Sequence, residues 1–319
     1  MRVIPERDSR RSRLVVGCNT AGYGPIRMTL ITFVRDGGLR PHPDRSDPNA
    51  NVIPDVLWLG IATTTSGVDV DDISIGDLWD RVTGTQPDPP LWLVVLVGLV
   101  ALGSVVHGPT WRIARNTVTI AHEGGHALVA LVTGRKLDGI KLHSDTSGVT
   151  VSRGKPHGPG MIFTAMAGYL TPPLLGLFFA LLLADGRITL MLWFSLALLA
   201  GMLVMIRNAY GALSVVATGA IIFAVSWLGS AEVQAGFAYL AAWFLLLAAT
   251  RPVIELQRMR TQRMAPSSDA DQLANLTGVP GLAWVSLFGA TALLALLAGG
   301  ALLVPDGLSL PDFSAPSAP

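Results

Sequence analysis

Ala121-His122-Glu123-Gly124-Gly125-His126-Ala127 is the stretch from which both the fold and the chemistry of this chain can be approached. It carries the pattern H-E-x-x-H. On a helix, His122 and His126 share one face, where two imidazole nitrogens can bind one metal ion. Glu123, beside the first histidine, can hold and deprotonate a water on that ion. The spacing therefore predicts a hydrolytic zinc site on a helix.

The residues around this motif are apolar. Thr117-Val118-Thr119-Ile120 precede it and Leu128-Val129-Ala130-Leu131-Val132 follow it. The two histidines and the carboxylate therefore lie in a segment able to cross a membrane. Ionisable side chains are costly there and usually mark a functional site. The alternative to a functional site is a polar cluster without chemical activity that packs against neighbouring helices.

Composition favours an integral membrane protein. Of 319 residues, 50% are hydrophobic and 14% charged, with a mean hydropathy of +0.50, whereas soluble domains carry about 25% charged residues. A net charge of +1 gives no excess of positive charge of the kind that nucleic-acid-binding proteins carry. The single Cys18 excludes an internal disulfide and a cysteine-based zinc site within one chain.

Apolar blocks of bilayer length follow one another from Leu91 onward. Since lipid-exposed backbone must satisfy its own hydrogen bonds, each block should be a helix. We predict an all-α polytopic membrane protein with about seven transmembrane helices, near 91–107, 116–134, 160–184, 188–206, 211–228, 233–250 and 282–303.

Three regions follow from this pattern. Residues 1–90 are polar and rich in Pro, Gly and Asp, which predicts weak order, and they show no signal peptide. Residues 91–304 form the membrane domain, and 305–319 a flexible tail. Of the 13 Lys and Arg residues between 91 and 304, ten lie in the loops at 135–159 and 251–281 or at Arg207, on one side of the predicted spans. The positive-inside rule therefore predicts a multi-pass cell-membrane protein with a cytoplasmic N-terminus and an external tail. Arg112, Arg115 and Arg187 then lie outside.

Two of the predicted cytoplasmic loops contain short elements. Leu137 to Leu142 and Gly148 to Ser152 alternate in polarity around a polar turn and predict a small β-hairpin. Ser268-Asp269-Ala270-Asp271 begins a short helix that ends near Gly278 and Pro280.

A catalytic zinc site needs a third protein ligand. The candidates able to reach His126 from the loop side are His143, His157, Asp138, Asp145, Asp269 and Asp271. Ser268 and Asp271 match a capping box, which gives Asp271 a structural role. Asp269 shares a face with Leu273 and Leu276, so Asp269 is the preferred ligand and Asp271 the alternative.

With these features, residues 113–280 resemble the site-2 protease family of intramembrane zinc metalloproteases, most closely its shorter bacterial branch. The resemblance rests on His122-Glu123-Gly124-Gly125-His126 in a span, the hairpin after it, and Ser268-Asp269-Ala270-Asp271 before the last span. It implies zinc bound by two histidines and an aspartate, with Glu123 as general base.

The resemblance also implies substrates: membrane-anchored single-span proteins already trimmed outside, such as membrane-bound regulators of transcription. One feature departs from the family. Its aspartate lies in an Asn-x-x-Pro…Leu-Asp-Gly motif within a span, whereas here Leu137-Asp138-Gly139 directly follows the motif helix. The competing hypothesis is a transporter or channel that uses His122, Glu123 and His126 as a proton or metal relay.

Overall fold

The computed structural model describes residues 75–262 and 268–304. They form ten helices and one two-stranded sheet, in the order α1 (Ile75–Thr83), α2 (Leu91–Val106), α3 (Gly108–Val132), β1 (Lys136–Leu142), β2 (Gly148–Arg153), α4 (Pro159–Ala184), α5 (Ile188–Met205), α6 (Ala209–Leu228), α7 (Ala231–Ala248), α8 (Thr250–Thr261), α9 (Asp269–Thr277) and α10 (Gly281–Leu303).

The helical membrane architecture is confirmed, and its helix count differs from the prediction. Among the described residues, five helices are long and apolar enough to span a bilayer, with α7 and α8 counted as one continuous segment, Ala231–Thr261. A sixth span results if α2 and α3 are taken together. The predicted count of seven is not confirmed, because 91–107 and 116–134 were counted as two separate spans.

The joint between α2 and α3 explains this difference. The two helices meet at an angle of 101°, and the break lies where His107 takes an extended conformation before Pro109 at the start of α3. Since proline has no N–H to donate, it is tolerated at the first turn of a helix but cannot continue one. Residues 91–132 thus behave as a broken span or a re-entrant pair.

Contacts near α1 also bear on orientation. The Gln86 N–H donates to the Gly186 carbonyl at 2.8 Å, and Arg187 Nη1 donates to the Thr83 carbonyl at 3.2 Å. Residues 83–86 and 185–187 are therefore at the same end of the bundle. The loop-charge prediction placed the N-terminal region inside and Arg187 outside, and these two assignments cannot both hold. Weak order was predicted for residues 1–90 and a flexible tail for 305–319; of these, residues 1–74 and 305–319 lie outside the described residues.

The predicted hairpin is present, and it folds back along α3 instead of extending beyond it. β1 and β2 are antiparallel, with a bulge between Leu137 and Gly139. At the turn, the Thr146 carbonyl accepts a hydrogen bond from Thr119 Oγ1 at 2.8 Å. Thr119 lies about 20 Å along the helix from its end at Val132, so the hairpin runs beside the H-E-x-x-H motif.

The outer edge of β1 is held by the α5–α6 turn. Ile140 forms a parallel bridge with Ile206, and the Arg207 N–H donates to the Ile140 carbonyl at 2.9 Å. The Asn208 amide both accepts from the Leu142 N–H (3.2 Å) and donates to its carbonyl (2.7 Å). Asn208 thus anchors the sheet.

The helix that faces the motif is α4, which packs antiparallel to α3. A proline inside a helix removes a backbone donor and commonly kinks the helix. α4 nevertheless remains one helix through Pro172 and Pro173, and both prolines are buried. Beyond them Phe179, Ala180 and Leu183 join the largest buried cluster, with α5 and α7 residues such as Leu192 and Leu246. This packing fixes α4 beside the site.

Candidate metal centre

The two motif histidines lie on one face of α3 and converge, as their spacing predicts. His122 Nε2 and His126 Nε2 are 3.1 Å apart, and the ring planes are nearly perpendicular at 86°. His126 is 9% exposed. Since a helix turns once in 3.6 residues, positions i and i+4 are stacked neighbours, and local geometry alone makes this pair.

The third group of the cluster is Asp269, at the first position of α9. Its Oδ2 lies 3.3 Å from the Nε2 atoms of both His122 and His126. One donor atom from each of these three residues lies within 4.8 Å of the other two. In the described part of the chain this is the group of His, Cys and acidic side chains that could hold an ion.

The start of α9 explains why Asp269 is available. Ser268 caps the helix, and its hydroxyl accepts from the Asp271 N–H at 3.3 Å. Asp271 points to Arg260, whose Nη2 donates to Oδ1 at 2.8 Å, and this guanidinium holds the pKa of Asp271 below its usual range. Asp271, the alternative ligand, is thus engaged with α8 and lies outside the cluster.

Close approach of α4 to α3 depends on two glycines. A Cβ at Gly125 would lie 2.1 Å from Thr171 Oγ1 and 3.0 Å from the Ala167 carbonyl. A Cβ at Gly168 would lie 2.3 Å from His126 Nε2 and 2.6 Å from His122 Nε2. Side chains at either position would force the helices apart, so the missing Cβ atoms create the room for the cluster.

The hydrogen bond of His126 to α4 determines which of its ring nitrogens can bind a metal ion. His126 Nδ1 lies 2.7 Å from the Thr164 carbonyl, which can only accept, so Nδ1 carries the proton. In the neutral ring Nε2 then presents a lone pair to His122 and to the Asp269 carboxylate. A cation placed between His122 Nε2, His126 Nε2 and the Asp269 carboxylate would be bound by all three groups. Two imidazoles and one carboxylate are a ligand set of catalytic zinc sites, so these residues fit that ion.

Aromatic rings cover the other side of His122. Tyr169 contacts it edge to face, with ring centroids 4.9 Å apart, and Phe288 of α10 stacks on Tyr169 at 4.9 Å. Phe288 is completely buried. The rings restrict rotation of the imidazole, because in a close-packed interior a side chain turns only if its neighbours move.

Glu123 points to the hairpin. Its carboxylate is buried against β2, where Thr150 Oγ1 donates to Oε2 at 2.6 Å and lies 3.2 Å from the Glu123 carbonyl. A Cβ at Gly148 would lie 2.5 Å from Glu123 Cγ. The hairpin therefore sets the position of this carboxylate.

The remaining third-ligand candidates lie elsewhere. Asp138 pairs with Arg153 across the sheet at 2.6 Å, and Asp145 accepts from the Ser147 N–H and hydroxyl within the turn. His143 contacts the same serine hydroxyl at 3.3 Å, and His157 is exposed. Arg115, predicted to lie outside, approaches Glu255 of α8 at 3.7 Å.

A large cavity lies on the opposite face of α3 from the histidines. Its volume is about 1110 Å³, and its lining, which includes Ile120, Gly124 and Leu128 of α3, is almost wholly apolar. Gly124 opens onto it, with Met202 Sδ the nearest atom at 4.0 Å. The lining does not include His122, His126 or Asp269. The candidate metal ligands of α3 and α9 thus lie apart from this cavity.

Three contributors to the site carried no signal in the sequence. Thr164 and Gly168 lie in an apolar span where small residues are ordinary helix packing. Thr150 is one β-branched residue of a predicted strand, and such residues are common in strands. Their roles depend on contacts between elements that sequence spacing does not report.

Comparison with known proteins agrees with this geometry. The profile of the family described as Peptidase M50B-like matches residues 95–299, which include the motif, the hairpin and Asp269. No curated protein and no solved structure gave a match. The matched region covers well over half of the chain, and on this basis the chain belongs to the Peptidase M50B-like branch of the site-2 proteases, a family of membrane-embedded metalloproteases.

Proposed function

We propose that this protein is an intramembrane zinc metalloprotease that hydrolyses peptide bonds of membrane-spanning substrates. His122, His126 and Asp269 would hold the zinc ion, and Glu123 would act as general base. The observation that supports this most directly is the convergence of three donor atoms from α3 and α9 within 4.8 Å. Family membership favours this function over the transporter or channel hypothesis.

Each ligand has a defined role in this proposal. The Thr164 carbonyl keeps the His126 proton on Nδ1, which leaves Nε2 free to bind the ion. Asp269 supplies negative charge from a helix separate from α3, so metal binding ties α9 to the motif helix. When bound, zinc polarises the scissile carbonyl and lowers the pKa of a coordinated water toward ~7.

Glu123 would take a proton from the attacking water and pass it to the leaving amine. This requires a carboxylate in a fixed place, and the 2.6 Å hydrogen bond from Thr150 holds one oxygen. The other oxygen, Oε1, would take the proton of the water; it lies beside Gly148 of β2, where an added Cβ would be 2.7 Å away. Burial of the side chain excludes competing solvent, which strengthens the electrostatic interaction of the base with its proton.

The substrate would have to be extended at the cleavage point, because a helical amide is shielded and hydrogen-bonded. β1 is already paired on both edges, with β2 and with the Ile206–Asn208 segment. In the described residues β2 pairs only with β1, so its outer edge is open. A substrate strand could add there, beside Glu123. Single-span proteins trimmed outside the membrane, including regulators of transcription, are the substrate class that we propose.

Zinc analysis and cleavage test the proposal together. The purified protein should hold close to one zinc per chain and cleave a single-span substrate in detergent or liposomes. Glu123→Gln should abolish cleavage with zinc content unchanged, because it removes the base and spares the ligands. Glu232→Gln, at an exposed position at the start of α7, is the matched control and should cleave like the parent. A metal-free parent, or an active Glu123→Gln protein, would refute the proposal.

A further inference from the structure

The backbone direction of β2 can be derived from its partner strand. In an antiparallel pair, residues alternate between those whose N–H and C=O groups point at the partner strand and those whose groups point away. Ile140 and Leu142 use their outward groups to bond residues 207 and 208. They are paired with Thr150 and Gly148. The backbone groups of Thr150 and Gly148 therefore point to the open edge of β2.

The face of β2 that carries Gly148 and the Thr150 side chain lies against α3 at Glu123. Gly148, Thr150 and Ser152 are half-buried, whereas Val149 and Val151 are exposed. Thr150 thus presents its backbone to the edge where a substrate strand would add, and its hydroxyl to the Glu123 carboxylate at 2.6 Å. One residue connects the docking edge to the base.

We infer that Thr150 is a positioning residue: it orients Glu123 and sets the register between a docked substrate strand and the base. The inference rests on the proposed protease function. Thr150 does not touch the reacting atoms, and it acts through Glu123. A hydroxyl is well suited to this because it donates one hydrogen bond to a carboxylate and leaves the second carboxylate oxygen available.

Two substitutions at the position separate this role from a structural one. Thr150→Val keeps the shape and the strand preference of the side chain and removes the donor. We expect kcat to fall about ten- to a hundredfold, the range for loss of a hydrogen bond to a charged group, with KM within about twofold and zinc content unchanged. Thr150→Ser restores the donor and should return kcat to within about threefold of the parent.

Thr218→Val is the control and should cleave like the parent, since among residues 75–262 and 268–304 the Thr218 hydroxyl donates to the Ser214 carbonyl within α6 and to no other group. Gly148→Ala provides an independent perturbation. The added Cβ would lie 2.5 Å from Glu123 Cγ, so the Glu123 side chain would have to move. It should also lower kcat with zinc retained. If Thr150→Val fails to fold, this variant still tests whether β2 places the base.

The outcomes are distinct. If the parent does not cleave, the proposed function fails and this inference fails with it. If the parent cleaves and Thr150→Val has a kcat within twofold of it, only the inference is overturned. The same holds if the valine and serine variants lose activity equally, or if Gly148→Ala cleaves like the parent.

Discussion

Gly168→Ala should strongly weaken zinc binding, although Gly168 belongs to α4, which contributes no ligand, and the substitution adds a single methyl group. Its carbon would lie 2.3 Å from His126 Nε2 and 2.6 Å from His122 Nε2. Ordinary van der Waals contact begins at 3.4 Å, so one imidazole must move by about 1 Å or the helices must separate.

Neither movement is compatible with the metal site. Zinc–nitrogen distances are about 2.0–2.1 Å and tolerate about 0.2 Å. Separation of the helices would also pull α4 from Gly125, where Ala167 and Thr171 are in close contact. We expect zinc affinity to fall at least about a hundredfold, at or beyond the usual range for perturbed ligand support, and cleavage to fall to background.

The measurement is competition for zinc with a chromophoric chelator, followed by metal analysis after dialysis. Gly201→Ala is the matched control, because Gly201 also lies in an apolar span and no atom would contact its added Cβ within 4 Å. Alanine is the better helix former by about 1 kcal/mol, so helix weakening cannot explain a loss at Gly168. A Gly168→Ala protein that binds zinc with parental affinity would refute the arrangement of α3 and α4.

Four further substitutions test other contacts. Gly125→Ala should reduce zinc content and thermal stability. Gly124→Ala, whose Cβ would meet Met202 Sδ at 4.0 Å, should leave zinc content unchanged and thermal stability at least as high as in the parent; a loss equal to that of Gly125→Ala would contradict the assignment of the two faces of α3. Asp271→Asn should retain zinc and lower the melting temperature modestly, as loss of the Arg260 pair is worth about 1 kcal/mol or less; loss of zinc would make Asp271 a ligand. Asn208→Leu removes both hydrogen bonds to Leu142 and should speed amide exchange in β1, measured by mass spectrometry, with unchanged exchange showing that the anchor is dispensable.

Local patterns in the sequence determined the features that depend on neighbours a few residues apart. The i, i+4 spacing put His122 and His126 on one face, and the capping pattern at Ser268 separated Asp269 from Asp271. Apolar blocks predicted the helical membrane fold, which is confirmed, and alternating residues predicted the hairpin. These predictions depend on helix periodicity, helix caps and strand alternation, which are set by short-range backbone geometry.

Only the tertiary structure decided how these elements meet. It turned two predicted spans into a pair bent by 101°, folded the hairpin onto α3, and brought Gly168 against the histidines and Thr150 against Glu123. A missing Cβ or a single hydroxyl has a role only when a particular neighbour lies within a few ångströms. That neighbour is far away in the chain, and its approach is fixed by the packing of whole helices.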